Sequence, residues 1–303
     1  PSRASRARPW ERLTCHLLCL SVSHVITVST MARSSSSRDI SFDTDFGSAR
    51  IRWDGPRATL FLGDVESSAV DTSDPTFLEF EYMQHMDTVV SSLWGSQERF
   101  RALHVGGAAC ALACAWSASH AQSRHVAVEV DRLLAERVRE HFPIPKAPKV
   151  RIRVGDGRAV LDQTREGSFD VVVRDAFASG VTPDSLRTVE CAQRARAALG
   201  SGGVYLVNCA HGGPANARQD IAALREVFPF VASIQDPKVG RSGRRGNVVA
   251  VACSEGVVDV DQIDRALRTL ALPARITRPR DLERWVAGTA ALTDVQVGYQ
   301  QAD

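Results

Sequence analysis

From Arg99 onward, short apolar runs rich in β-branched residues alternate with segments of helical spacing, and this alternation constrains the fold more than any other feature of the chain. The runs are 102–105, 126–130, 150–154, 169–173, 204–207, 230–234 and 248–252; the helical segments between them are 108–119, 131–141, 185–199 and 215–227. Strands apolar on both sides need cover on both faces, which an alternating strand–helix order supplies. The pattern predicts an α/β fold, a doubly wound and mostly parallel sheet over residues 99–255.

The flanks read differently. Residues 49–53 alternate, Asp54-Gly55-Pro56 is turn chemistry and 58–62 is apolar and extended. Residues 39–98 therefore read as a small β-hairpin domain followed by a helix. Asp74-Pro75 offers an N-cap with proline at the first helical position. The apolar stripe Phe77, Phe80, Met83, Met86 and Val90 carries that helix to about Leu93. Residues 256–303 read as a helical extension, with helices over 261–270 and 280–287.

Charge sorts the chain further. Residues 1–38 hold six arginines and one acid, whereas the remainder carries a net charge of −3. The basic excess belongs to this leader, so the body offers no field for nucleic acid. The leader reads as a weak targeting peptide or as sequence upstream of a true start at Met31, and either way it is left out of the fold. No run of about 18 apolar residues suggests a membrane span. Seven cysteines without a C-x-x-C spacing read as buried small side chains of a cytoplasmic protein, with no metal site.

Four elements sit where the first four core strands end, the place at which open α/β sheets bind ligands. Gly106-Gly107 follows the first strand, and glycines there permit a tight turn and close approach of a ligand. Glu129 ends the second strand, and its carboxylate can accept both hydroxyls of a ribose while Asp131 caps the next helix. Gly155-Asp156-Gly157 ends the third, placing an acid where it can meet an adenine amino group. Asp175 follows the fourth and points into the mouth of the cleft.

Taken in order, Gly106-Gly107, Glu129, Gly155-Asp156-Gly157 and Asp175 resemble the landmarks of the spermidine synthase family of aminopropyltransferases. The resemblance covers roughly residues 48–255 and is nearest to a divergent bacterial branch, through Asp74-Pro75-Thr76-Phe77-Leu78-Glu79-Phe80-Glu81-Tyr82 and Arg174-Asp175-Ala176-Phe177-Ala178. It implies a class I methyltransferase-like Rossmann fold behind a small β-domain, a cytoplasmic homodimer, and decarboxylated S-adenosylmethionine as donor. It also implies that Gly106, Gly107, Glu129, Asp156 and Gly157 hold the nucleoside and that Asp175 is the general base.

The amine half departs from the family pattern. The usual Asp-Ser-Ser-Asp-Pro-type loop reads Asp175-Ala176-Phe177-Ala178-Ser179, without its second acid. The Tyr-His pair of the first helix falls at Glu79-Phe80, with the following acid kept as Glu81. The hairpin-loop glutamine falls near Ser67. The late Ser-Gly-x-Trp-Gly motif reads Ser242-Gly243-Arg244-Arg245-Gly246, so Arg245 stands in for an aromatic. Glu79, Glu81, Ser67 and Arg245 are thus the expected substrate-side residues, with the identity of the small-molecule amine open. Two other activities compete. One is methyl transfer from intact S-adenosylmethionine, with Arg244 or Arg245 meeting its carboxylate; the other is binding of a thioadenosine nucleoside without turnover. His104 reads as a strand histidine, His85 as a packing residue and His211 as a residue near the cleft.

Overall fold

The computed structural model describes residues 38–178, 180–239 and 244–301. The leader, apart from Arg38, and the Ser242-Gly243 part of the late motif lie outside the described residues, as does Ser179. Two sheets organise the rest. The first is an antiparallel meander of β1 (Arg38–Thr44), β2 (Gly47–Asp54), β3 (Arg57–Leu62) and β4 (Val65–Asp71). The sequence suggested a hairpin; two strands were missed because β1 and β4 carry polar residues at most positions, β1 burying none of its residues and β4 burying the polar Ser68 and Asp71 beside Ala69. Arg38, assigned to the leader, pairs with Trp53 in β1.

The helix α1 (Glu81–Leu93) follows, and it corrects the expected start at Asp74. The Asp74 carboxylate instead closes a tight turn, accepting from the Thr76 amide at 3.0 Å and the Thr76 hydroxyl at 2.6 Å. An Asx turn competes with a helix for the same carboxylate, and here the turn wins. The apolar stripe survives from Met83 onward, where Met83, Met86, Val89 and Val90 are buried.

Next come β5 (Arg101–Val105), α2 (Ala111–Ser119), β6 (Arg124–Glu129), α3 (Arg132–His141), β7 (Val150–Val154), α4 (Gly157–Asp162) and β8 (Phe169–Arg174). They are followed by α5 (Val189–Ala198), β9 (Leu199–His211), α6 (Ala217–Val227), β10 (Phe230–Gln235) and β11 (Gly246–Cys253). The tail adds α7 (Val260–Leu267), β12 (Arg275–Thr277), α8 (Pro279–Val286) and α9 (Asp294–Val297). The eight strands of this second sheet run in the order β12-β10-β11-β9-β8-β5-β6-β7. β7, β6, β5, β8 and β9 are parallel, and β11 pairs antiparallel with both β9 and β10. The three-residue β12 is too short to leave a pattern in the sequence.

The alternation of side chains across β5 and β8 builds two cores. Leu103, Val105 and Val172 face the side covered by α5 and α6. Ala102, Val171 and Val173 face α1 and α2. Each fully buried valine or leucine contributes roughly 1.5–3 kcal/mol, so both faces hold the sheet in place. A third cluster joins Ile51 and Leu60 of the meander to Ala113 of α2 and Leu134 and Val138 of α3. There the Asp45 carboxylate of the β1–β2 turn accepts from the Arg132 and Leu133 amides at 2.7 and 3.1 Å, capping α3 from the other sheet. The meander is thereby fixed over the carboxyl ends of β5–β7. Strand order reverses between β5 and β8, which opens a crevice at those ends.

The tail packs against α4, outside the lining of the crevice. Buried Arg158, one residue past Gly157, donates to Asp294 of α9 at 2.8 Å and to the Ser185 carbonyl at 2.8 Å, and lies over the Tyr299 ring. No helix among the described residues is long and apolar enough to cross a membrane.

Candidate active site

The tips of β5, β6, β7 and β8 converge on a cleft of about 420 Å3. Gly106 makes the convergence possible. It adopts φ +103°, and a Cβ there would lie 2.1 Å from the Asp175 carbonyl oxygen. Only glycine lets β5 and β8 approach so closely, with the Asp175 amide donating to the Val105 carbonyl at 2.8 Å. Gly157 serves similarly: a Cβ would lie 2.6 Å from Val105 Cγ1. Ala108 and Cys110 continue the turn in the left-handed region at φ 38° and 57°. Such residues cost on the order of 1–3 kcal/mol each and cluster at functional sites.

Glu129, buried at the tip of β6, ties this turn to the next. Its Oε2 accepts from the Ala108 amide at 2.8 Å and its Oε1 from the Asp131 amide at 3.0 Å. Burial raises its pKa, and those amide bonds work against the rise. Asp131 caps α3 through the Leu134 amide at 2.7 Å. Exposed Asp156 caps α4, accepting from the Ala159 amide at 2.8 Å, and also lines the cleft.

Asp175 stands at the tip of β8. Its Oδ2 accepts from the Tyr82 hydroxyl at 2.8 Å and its Oδ1 from Asn208 Nδ2 at 2.9 Å. Burial raises the carboxyl pKa, opposed by the bonds from Asn208 and Tyr82 and by the Arg174 charge. Burial and the adjacent carboxylate in turn raise the Tyr82 pKa, which keeps the phenol protonated as a donor. The Arg174 side chain turns away, buried against Asp220 at 2.6 Å.

The structure gathers Gly106, Gly107, Glu129, Asp156, Gly157, Asp175 and Ser67 around one cleft. It does not bring Glu79, Glu81 or Arg245 there. With α1 beginning at Glu81, positions 79 and 81 are exposed, and Glu79 sits 4.0 Å from Arg57. The side chains that reach inward from this segment are Phe80, Tyr82 and Met83. Arg245 packs beside Gly212 and Gly213, and Arg244 pairs with Asp236 at 3.4 Å. His85 is buried and its pKa is lowered to about 4 by burial. His211 lies outside the cleft lining, its ring centroid 5.1 Å from that of Trp285.

Among the lining residues that the sequence did not single out as part of a site are Tyr82 and Asn208; His104, read as a strand histidine, also lines the cleft. Asn208 left a signal, because a polar residue interrupts the apolar run of β9 just before its tip. Tyr82 left a weaker one, a hydroxyl on the apolar stripe of α1. No group of three or more metal-ligating side chains occurs among the described residues.

The chain is similar to several solved structures. A probable spermidine synthase from Corynebacterium glutamicum is 30% identical over 87% of this chain and 98% of that one, with a TM-score of 0.78. A spermidine synthase in complex with the transition state analogue AdoDATO is 15% identical over 87% and 84% of the two chains, with a TM-score of 0.54. Human methyltransferase-like protein 13 in complex with SAH is 16% identical over 71% and 96%, with a TM-score of 0.52. No protein-family model matches the chain, and no curated protein does.

Proposed function

Because this chain belongs to the spermidine synthase-like family, we propose that it transfers an aminopropyl group from decarboxylated S-adenosylmethionine to a small-molecule amine. The observation that carries this reading is the charge of the cleft. Glu66, Glu129, Asp156 and Asp175 line it, and among the described lining residues there is neither lysine nor arginine. The decarboxylated donor carries a sulfonium and an ammonium, and the acceptor amine adds a third cation. Intact S-adenosylmethionine would bring a carboxylate that no cation among the described lining residues meets; Arg244 pairs with Asp236 and Arg245 lies outside the lining. The ligands of the two distant relatives, AdoDATO and SAH, support a nucleoside of this kind.

In this reading the ribose hydroxyls meet the remaining lone pairs of Glu129, and Asp156 meets the adenine amino group. A carboxylate offers about four lone-pair directions, and Tyr82 and Asn208 use two of those on Asp175. The others take the acceptor. The amine arrives protonated, and Asp175 removes a proton, a task matched by its raised pKa. The neutral nitrogen attacks the methylene beside the sulfonium, the new C–N bond forms, and the C–S bond breaks with its electron pair passing to sulfur. Methylthioadenosine leaves as a neutral thioether, the alkylated nitrogen keeps its charge as a secondary ammonium, and Asp175 passes the one proton it took to solvent. Holding amine and carbon in line supplies much of the acceleration.

The test is a binding and turnover comparison of both donor forms with a panel of amines, read by mass spectrometry. At least tenfold tighter binding of the decarboxylated form, with methylthioadenosine released only when an amine is present, is the expected result. Equal or tighter binding of the carboxylated form, or a methylated product, would sink the proposal.

A further inference from the structure

One wall of the cleft has no part in the reaction as written above. Met83, Ala111, Leu112 and Val173 line it and belong to a single apolar cluster on the α1–α2 side of the sheet. His104 lies on the same face of β5, opposite Leu103 and Val105, with its ring centroid 5.4 Å from that of Trp116. It is only 4% exposed, yet it lines the cleft. It is the polar break in that wall.

The hydrogen bonds of His104 run inward and fix its tautomer. His104 Nε2 lies 3.1 Å from His125 Nδ1, and His125 Nε2 lies 2.8 Å from Ser123 Oγ. Ser123 Oγ in turn is 2.7 Å from the His120 carbonyl oxygen. Two oxygens that close need a proton between them, and the hydroxyl alone can supply it. Ser123 therefore accepts from His125, whose proton sits on Nε2 and whose Nδ1 is bare. A bare Nδ1 accepts from His104, so His104 also carries its proton on Nε2. The relay ends in one unshared lone pair, Nδ1 of His104. Burial keeps both rings neutral, lowering the His104 pKa to about 3 and moving that of His125 down as well.

We infer that His104 Nδ1 accepts a hydrogen bond from the terminal ammonium of the donor's aminopropyl chain, whose methylenes lie along Met83, Ala111, Leu112 and Val173. The inference rests on the aminopropyl-donor reading above and names the side chain that selects this donor. An ammonium has hydrogen-bond donors and no acceptor, so it needs a lone pair, and a relay anchored on a backbone carbonyl guarantees one. Three methylenes suit an apolar wall. A carboxylate on the same chain would be desolvated there without a partner.

The test compares decarboxylated S-adenosylmethionine with methylthioadenosine, which keeps the nucleoside and lacks the aminopropyl chain. In His104→Leu, affinity for the first falls roughly 10- to 100-fold, the value of a hydrogen bond to a charged group, while affinity for the second stays within about twofold. His104→Leu strands His125 Nδ1 in the core, so the pair His104→Leu with His125→Leu is measured alongside; removing both partners avoids the buried orphan. Equal loss of both ligands, or an unchanged gap between them, overturns the inference. So does a nitrogen-15 spectrum showing the proton of His104 on Nδ1. If the unaltered protein does not prefer the aminopropyl nucleoside, the function itself fails and the inference goes with it.

Discussion

The two halves of the cleft are built at different ranges. On the side proposed to hold the nucleoside, Asp156 meets the amide three residues on and Glu129 the amide two residues on, while glycines shape the turns. On the side proposed to take the amine, Asp175 is held by Tyr82, 93 residues away, and by Asn208, 33 residues away. The first half is made largely of turn chemistry and helix caps, which are local, with one longer reach from Glu129 to the Ala108 amide, 21 residues away. The second exists only once α1 and β9 have packed against β8. Binding of the nucleoside and activation of the amine should therefore separate cleanly under mutation.

Asp175→Asn gives the largest effect. It removes the base and leaves the strand tips alone, so kcat falls by about 10²- to 10⁴-fold while the Kd for the nucleoside stays within about twofold. Steady-state kinetics beside calorimetry checks this, and a matching loss of nucleoside affinity would erase the contrast between the halves. Glu129→Ala comes next and acts in the other half. It removes the proposed ribose acceptor and the clasp between the Ala108 and Asp131 amides, and donor affinity falls about 100-fold or more for the loss of two hydrogen bonds to a charged group.

Tyr82→Phe sharpens the comparison through pH. As the proposed base, Asp175 works only when deprotonated, so kcat/KM falls as pH drops through its pKa, which burial has already raised. The Tyr82 hydroxyl favours the carboxylate. Without it the pKa rises further, and the acidic limb of the profile moves up by about one pH unit, the equivalent of roughly 1.4 kcal/mol. A limb that stays in place, or moves down, removes Tyr82 from the amine half. The smallest effect belongs to Glu79→Ala and Glu81→Ala. Both side chains are exposed and outside the cleft, so the KM of the amine changes by less than about twofold. A tenfold rise would return them to the acceptor site.

The course of α1 shows why one half was readable and the other was not. Asp74-Pro75 carries good helix-start chemistry, and the stripe beyond it has helical spacing. The Asp74 side chain nevertheless closed a turn on Thr76, and the helix began at Glu81. That displacement decides which side chains face inward: Tyr82 and Met83 enter the cleft, and the two glutamates stay outside. Arg245 went astray in a similar way. Its place in a family motif said nothing of the close packing beside Gly213 that holds it away from the lining.

Strand–helix alternation was enough to establish a mostly parallel sheet, and glycine at the β5 and β7 tips with acids at the ends of β6, β7 and β8 marked the residues that line its crevice. Those features act between residues close in the chain, where steric limits and capping leave few choices. Tertiary packing alone decided that Tyr82 and Asn208 grip Asp175, that no described arginine lines the cleft, and that His104 ends a relay through His125 to a backbone carbonyl. Contacts across such separations depend on which helix face turns inward and how strands stack, and both are settled by burial of the whole core.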